Sequence, residues 1–314
     1  MSMRISTLTL NPTIDLACEA EKVRPVRKVR TFDERQDPGG GGVNVARVVR
    51  ELGGETLAMV LVGGVTGHFL EELLEEIGVP HRSIPIAGRT RISQTVLDRS
   101  LGEEFRFVPE GPEVAEAEWQ AALAALEELP EGEWLVASGS LPRGVPEDFY
   151  ARAGAIARRR GLRMVLDTSG AALRAGVGPE IELIKPSLGE FESLVERELR
   201  GEGDLEAAAR EMLGRGIARR IAVTLGKDGA LLAWEGGLRR LDALPVTVRG
   251  AVGAGDSFVA AMTLALARGA GDEDAFAWGV AAGAAAVSNA GTAHPTEADV
   301  RRLRAMVPGL PLPG

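Results

Sequence analysis

The sequence predicts an α/β protein: a doubly wound, mostly parallel sheet flanked by helices, with a small β-sheet lid on one edge. Three observations carry that expectation. From residue 113 to 225, short apolar runs alternate regularly with helix-length stretches. The earlier run from Leu57 to Val62 is continuously apolar, as in a strand buried on both faces. Glycine-rich or polar groups recur where such runs end: Asp15, Ser138-Gly139-Ser140, Asp167, Lys185 and Gly226. In open α/β sheets ligands bind outside the carboxyl ends of the strands, so one edge gathers these candidates.

Composition narrows the field. At 314 residues and 45% apolar content the chain can bury a large core, and one domain over residues 1–314 is expected. A net charge of −9 and a pI near 5.1 argue against a sequence-independent nucleic-acid binder or an anionic-membrane binder. Any anionic ligand must therefore meet a local cationic cluster. Cys18 is the only cysteine, which excludes an intrachain disulfide. No run approaches the ~18 uncharged apolar residues of a membrane span, and the first residues lack a secretory pattern, so a cytoplasmic location is expected.

Taken in order, Arg4 to Leu10 reads as a strand ended by Asn11-Pro12, with Asp15 in the turn beyond it. Pro38 to Gly42 supplies four consecutive glycines before an amphipathic helix marked by Val45, Val48, Val49 and Leu52. A linker would not normally run straight into such a helix. The glycines instead let a ligand approach the backbone, and Asn44 reads as the N-cap. Residues 89–110 break the βα alternation with a hairpin around Ser100-Leu101-Gly102; with residues 16–37 they form the expected lid. Arg91 and Arg106 fall on this hairpin, where a pair could clamp a phosphate. Strands are expected at Trp134 to Ala137, Met164 to Asp167, Glu182 to Lys185 and Ile221 to Leu225. Ser187 and Glu190 form a capping-box pattern, and Gly226 to Gly229 reads as a hairpin turn.

The stretch Gly250 to Ser257 carries most of the chemistry. Its glycines precede Asp256 and an apolar run from Phe258 to Ala267, so a helix begins there with unpaired N–H groups that attract anions. Read alone, Asp256 caps that helix. There is no Gly-x4-Gly-Lys-Ser/Thr loop, no early Gly-x-Gly-x-x-Gly, and no zinc spacing among His68, His81 and His294. What remains suits phosphoryl transfer by positioning and electrostatics, with Asp256 as base and the N–H groups of residues 253 to 256 neutralising the moving phosphoryl group.

Six motifs in order, Leu8 to Asp15, Pro38 to Arg47, Ser138 to Pro142, Lys185-Pro186-Ser187 with Glu190, Thr224 to Gly226, and Val252 to Ser257, resemble the PfkB/ribokinase family of carbohydrate kinases from end to end. The resemblance is strongest to its phosphofructokinases. It implies a ribokinase-like fold, ATP as donor with Mg²⁺, Asp256 as catalytic base, and Gly253, Ala254 and Gly255 as the anion hole. It implies a sugar-phosphate site at Asp15, Thr13, Gly40, Gly41, Asn44, Arg91, Arg106 and Ser140. The nucleotide would lie near Lys185, Ser187, Thr224, Gly226, Gly229 and Asn289, and Glu190 and Asp167 would order the metal. Family members often dimerise through the lid, and many bind K⁺ near residues 252 and 289–291. Two positions bear on the detail. Ser187 stands where the family usually has Asn, and Gly41 stands where relatives acting on fructose 1-phosphate or tagatose 6-phosphate commonly have Lys. The expected reaction is transfer of phosphate from ATP to the 1-hydroxyl of fructose 6-phosphate. Fructose-1-phosphate or tagatose-6-phosphate kinase activity is the alternative within the class, and a catalytically inactive sugar-phosphate sensor the alternative outside it.

Overall fold

The computed structural model describes residues 4–201, 203–250, 252–289 and 294–309. The chain opens on β1 (Ile5–Thr9), wholly buried, and passes through Asn11-Pro12 straight into the lid strands β2 (Thr13–Ala20) and β3 (Thr31–Gly39). α1 (Gly41–Glu51), β4 (Thr56–Val62), α2 (Gly64–Glu76) and β5 (His81–Pro85) return to the main sheet. A second excursion, β6 (Arg91–Asp98) and β7 (Glu103–Phe107), completes the lid in the order β3-β2-β6-β7.

Regular winding follows through α3 (Glu116–Glu127), β8 (Trp134–Ser138), α4 (Phe149–Arg159), β9 (Arg163–Asp167), α5 (Gly170–Gly176) and β10 (Ile181–Ile184). It continues with α6 (Leu188–Val195), α7 (Asp204–Gly214) and β11 (Arg220–Thr224). One 3₁₀ turn at Gly226–Asp228 leads into β12 (Ala230–Trp234) and β13 (Gly237–Leu241), both antiparallel to their neighbours. The described chain ends with α8 (Ala254–Ala267), α9 (Asp272–Val287) and α10 (Glu297–Arg304).

The main sheet has nine strands in the order β13-β12-β11-β10-β9-β8-β1-β4-β5. From β1 the winding goes outward through β4 on one side and β8 on the other. That reversal opens a crevice at the carboxyl ends of β1 and β8.

Period-two alternation explains the two helical layers. Leu135 and Ala137 of β8 pack with Trp119, Phe149 and Tyr150 from α3 and α4. Trp134 and Val136 face the opposite layer, with Val45 and Val48 of α1 and Phe258 of α8. Each fully buried Leu or Phe there contributes about 1.5–3 kcal/mol. In α8 every residue from Ser257 to Leu266 is buried; its alanines let it lie between the sheet, α1 and α9.

Several expectations need correction. Asp15 is not in a turn: it lies in β2, paired with Asp37 of β3 and Ser93 of β6. The lid begins at Thr13 rather than residue 16 for the same reason. Asn44 is not an N-cap, because α1 already starts at Gly41, with Gly40 as its cap at φ 109° and no side-chain cap bond. The four glycines are, as expected, no linker: Gly39 ends β3 and Gly41 begins α1. Asp256 does not cap α8 either; Gly253 does, in a left-handed conformation, which places Asp256 third in the helix.

Candidate active site

The site forms where α8 begins. Gly253 adopts φ 73°, open to glycine at little cost, and the first intrahelical bond runs from Ser257 N to Gly253 O at 2.8 Å. The N–H groups of Ala254, Gly255 and Asp256 therefore have no acceptor within the helix, and they carry its positive dipole end.

Asp256 is fixed from across the crevice. Asn44 Nδ2, one turn into α1, donates to Asp256 Oδ2 at 2.9 Å. Burial, with the charges of Asp167 and Asp15, pushes the Asp256 carboxyl up to about 6, while Asn44 and Lys185 counter the rise. A carboxylate at that value is ionised at neutral pH and basic enough to accept a hydroxyl proton in a transition state.

Lys185 lies beneath the helix start. It follows β10, is almost fully buried, and its Nζ stands 3.3 Å from Asp167 Oδ1 at the end of β9. A Cβ on Gly255 would sit 3.2 Å from that Nζ, so the glycine allows the ammonium to approach the free N–H groups at the start of α8. Burial opposes charge on Lys185, but Asp167, Glu190 and Asp256 outweigh it and raise its pKa. Burial also raises Asp167, with Lys185 acting against it.

Ser187 and Glu190 form the expected capping box: Ser187 N donates to Glu190 Oε2 at 2.7 Å and Glu190 N to Ser187 Oγ at 3.4 Å. Thr224 joins them through a parallel bridge to Ser187, and a Cβ on Gly226, two residues on, would meet open space. Gly229 differs. A Cβ there would lie 2.0 Å from Leu241 O, so this glycine serves the packing of β12 against β13. Asn289 Nδ2 donates to His294 O at 2.9 Å, tying the residue after α9 to His294. Of the stretch 289–291 expected near K⁺, residues 290 and 291 lie outside the described residues.

On the lid side, Asp15 is raised by burial and held down by Arg106, Arg47 and Arg91, so three guanidinium groups bound one carboxylate. Arg91 donates to Pro109 O at 2.8 Å and Asn11 O at 2.9 Å, which ties the lid to the end of β1. Arg106 is exposed on β7. Thr13 spends its hydroxyl on Ser93 Oγ at 3.0 Å, so it staples β2 to β6. Ser140 Oγ accepts from Asn11 Nδ2 at 3.2 Å. Gly40 and Gly41 fit the crevice tightly. A Cβ on Gly41 would lie 2.2 Å from Ser138 Oγ and 3.0 Å from Gly139 N, at the carboxyl end of β8.

Sequence reasoning missed Arg47, Asn11 and His294. Arg47 is nearly buried and donates to Pro38 O at 2.8 Å and Asp37 Oδ1 at 3.0 Å, locking α1 to β3. Its place within the matched glycine motif was the available signal.

Residues 8–299 match the profile of the pfkB family carbohydrate kinases. The chain belongs to this family. A PfkB kinase from Mycobacterium tuberculosis (strain CDC 1551 / Oshkosh), ATP-dependent 6-phosphofructokinase isozyme 2, is 43% identical over 300 residues, covering 95% of this chain and 88% of that relative. The enzyme of the same name from Escherichia coli (strain K12) is 39% identical over 304 residues, covering 96% and 98%. Among solved structures, phosphofructokinase-2 from Escherichia coli in complex with fructose-6-phosphate superposes with a TM-score of 0.92 at 37% identity, covering 97% of this chain and 99% of that one. The ribokinase-like α/β fold with its separate small sheet is thus shared with PfkB kinases. No helix among the described residues is long and apolar enough to cross a membrane.

Proposed function

We propose that this PfkB kinase transfers the γ-phosphoryl group of ATP to the 1-hydroxyl of fructose 6-phosphate, with the whole chain, 1–314, acting as one kinase unit. The observation that carries the reading is the Asn44–Asp256 hydrogen bond at the open start of α8, facing the arginine-bounded Asp15. In this reading Asp15 and Asn44 orient the sugar, and Arg91 and Arg106 receive its phosphate. The Asp256 carboxylate takes the proton of the 1-hydroxyl as its oxygen bonds to the γ-phosphorus. The bond from that phosphorus to the bridging oxygen breaks, and ADP leaves. The N–H groups of Ala254, Gly255 and Asp256 hold the charge on the transferring oxygens, with Lys185 behind them.

Mg²⁺ fits the donor set in a limited way. Among the described residues no cluster of three or more His, Cys, Asp or Glu side chains could hold a metal. Asp167 and Glu190 offer hard oxygens beside a single lysine, which suits a Mg²⁺ ion that keeps its waters and arrives on nucleotide phosphates. When bound, the ion would neutralise phosphate charge.

Gly41 supports fructose 6-phosphate as acceptor. Any side chain there, including the Lys expected of relatives acting on fructose 1-phosphate, meets Ser138 and the Gly139 backbone. A panel of fructose 6-phosphate, fructose 1-phosphate, tagatose 6-phosphate and tagatose 1-phosphate, followed by coupled ADP release, tests the choice. Preference for fructose 1-phosphate would overturn it, and binding without turnover of any would favour the sensor. The exposed Ile92, Phe107 and Val108 on β6, β7 and the residue after it support self-association through the lid, which light scattering would check.

A further inference from the structure

One imidazole beside the site has no role in that mechanism. His294 lies in the loop between α9 and α10, fixed through its carbonyl by Asn289 Nδ2 and followed by Pro295. Its Nε2 is buried without a hydrogen-bond partner among the described residues. A buried polar atom left unpaired costs roughly 1–3 kcal/mol, so it calls for an occupant.

The space beside it is specific. His294 lines a small cleft with Asp15, Asn44, Val252, Gly253 and Ser257, leaving room for about one water-sized group. Asp15 and Asn44 are the residues assigned above to the acceptor sugar. Burial, with the Arg47 guanidinium nearby, lowers the imidazole to about 4, against the opposing pull of Asp37. The ring is therefore neutral in working conditions. It suits a neutral partner that can both donate and accept, which a hydroxyl does for either ring tautomer.

Resting on the kinase reading, we propose that His294 contacts the acceptor sugar, its Nε2 hydrogen-bonding a hydroxyl other than the one phosphorylated, and so selects substrates bearing that hydroxyl. A site built to bond a hydroxyl rejects the analogue lacking it, because its own polar atom is then left unpaired.

The test uses the full chain and whichever sugar phosphate of the panel the wild type turns over best, with its mono-deoxy analogues. His294→Leu is expected to raise KM for the sugar phosphate about five- to tenfold, with kcat and KM for ATP within about twofold, and His294→Gln to recover most of the loss. One deoxy analogue should be a poor substrate for the wild type yet carry no further penalty in His294→Leu. Additive losses for every analogue, or an unchanged sugar KM in both variants, would overturn the inference while leaving the kinase reading intact. An effect confined to the K⁺ concentration needed for activity would overturn it too. If the wild type phosphorylates no sugar phosphate, the kinase reading itself fails and the inference falls with it.

Discussion

Asn44 Nδ2 stands 2.9 Å from Asp256 Oδ2, joining the first turn of α1 to the first turn of α8 across 212 residues of sequence. The bond aims the carboxylate and favours its ionised form, against burial and the nearby Asp167 charge that raise it to about 6. Asn44→Ala should therefore move the acid limb of the kcat/KM profile to higher pH than the wild type's limb near 6, and lower kcat roughly tenfold. An unshifted limb would show that the bond does not tune the base.

The same raised value has a consequence for stability. Because the folded-state pKa of Asp256 exceeds the ordinary 3.8, the native protein binds more protons than the unfolded chain between about 4 and 6, and stability falls as pH rises through that window. Asp256→Asn should thus raise the Tm of the ligand-free protein at pH 7.5, with the difference shrinking as pH approaches 4. Calorimetry across that range checks the sign. An equal or lower Tm at pH 7.5 would contradict it.

Arg91 and Arg106 separate two roles that sequence alone could not. Both should serve the substrate phosphate, so either alanine variant is expected to raise the sugar-phosphate KM about 10- to 100-fold with little change in kcat. Only Arg91 also holds Pro109 O and Asn11 O. Arg91→Ala should lower Tm measurably, and Arg106→Ala should not. Unchanged KM in both would move the phosphate site elsewhere.

What was legible in the sequence is what local rules encode. Strands such as β4 and β8 announce themselves because both faces are buried, and the Ser187–Glu190 capping box needs only four residues to be read. Errors arose where distant partners override local preference. Asp15 has turn chemistry, yet β2 exists because β3 and β6, the latter nearly eighty residues on, supply its hydrogen bonds. Asn44 has N-cap chemistry, yet Gly40 and Gly41 start the helix earlier, because the backbone must pass within contact of Ser138 and Gly139. The short elements β5, α5 and β13 lacked a periodic signal long enough to read, whereas α7 carried one, with Leu205, Ala208, Ala209 and Met212 buried at helical spacing. Arg47 and His294 matter through their neighbours in space, which no single stretch of sequence displays.

The central claim is that Asp256 deprotonates the acceptor hydroxyl at the start of α8. Asp256→Asn keeps the side chain's shape and an oxygen for the Asn44 bond while removing the base. Steady-state kinetics beside sugar-phosphate binding by calorimetry should show kcat reduced about 100- to 10,000-fold, some 3 to 5 kcal/mol, with Kd within a few fold of wild type. Turnover near the wild-type rate would contradict the account.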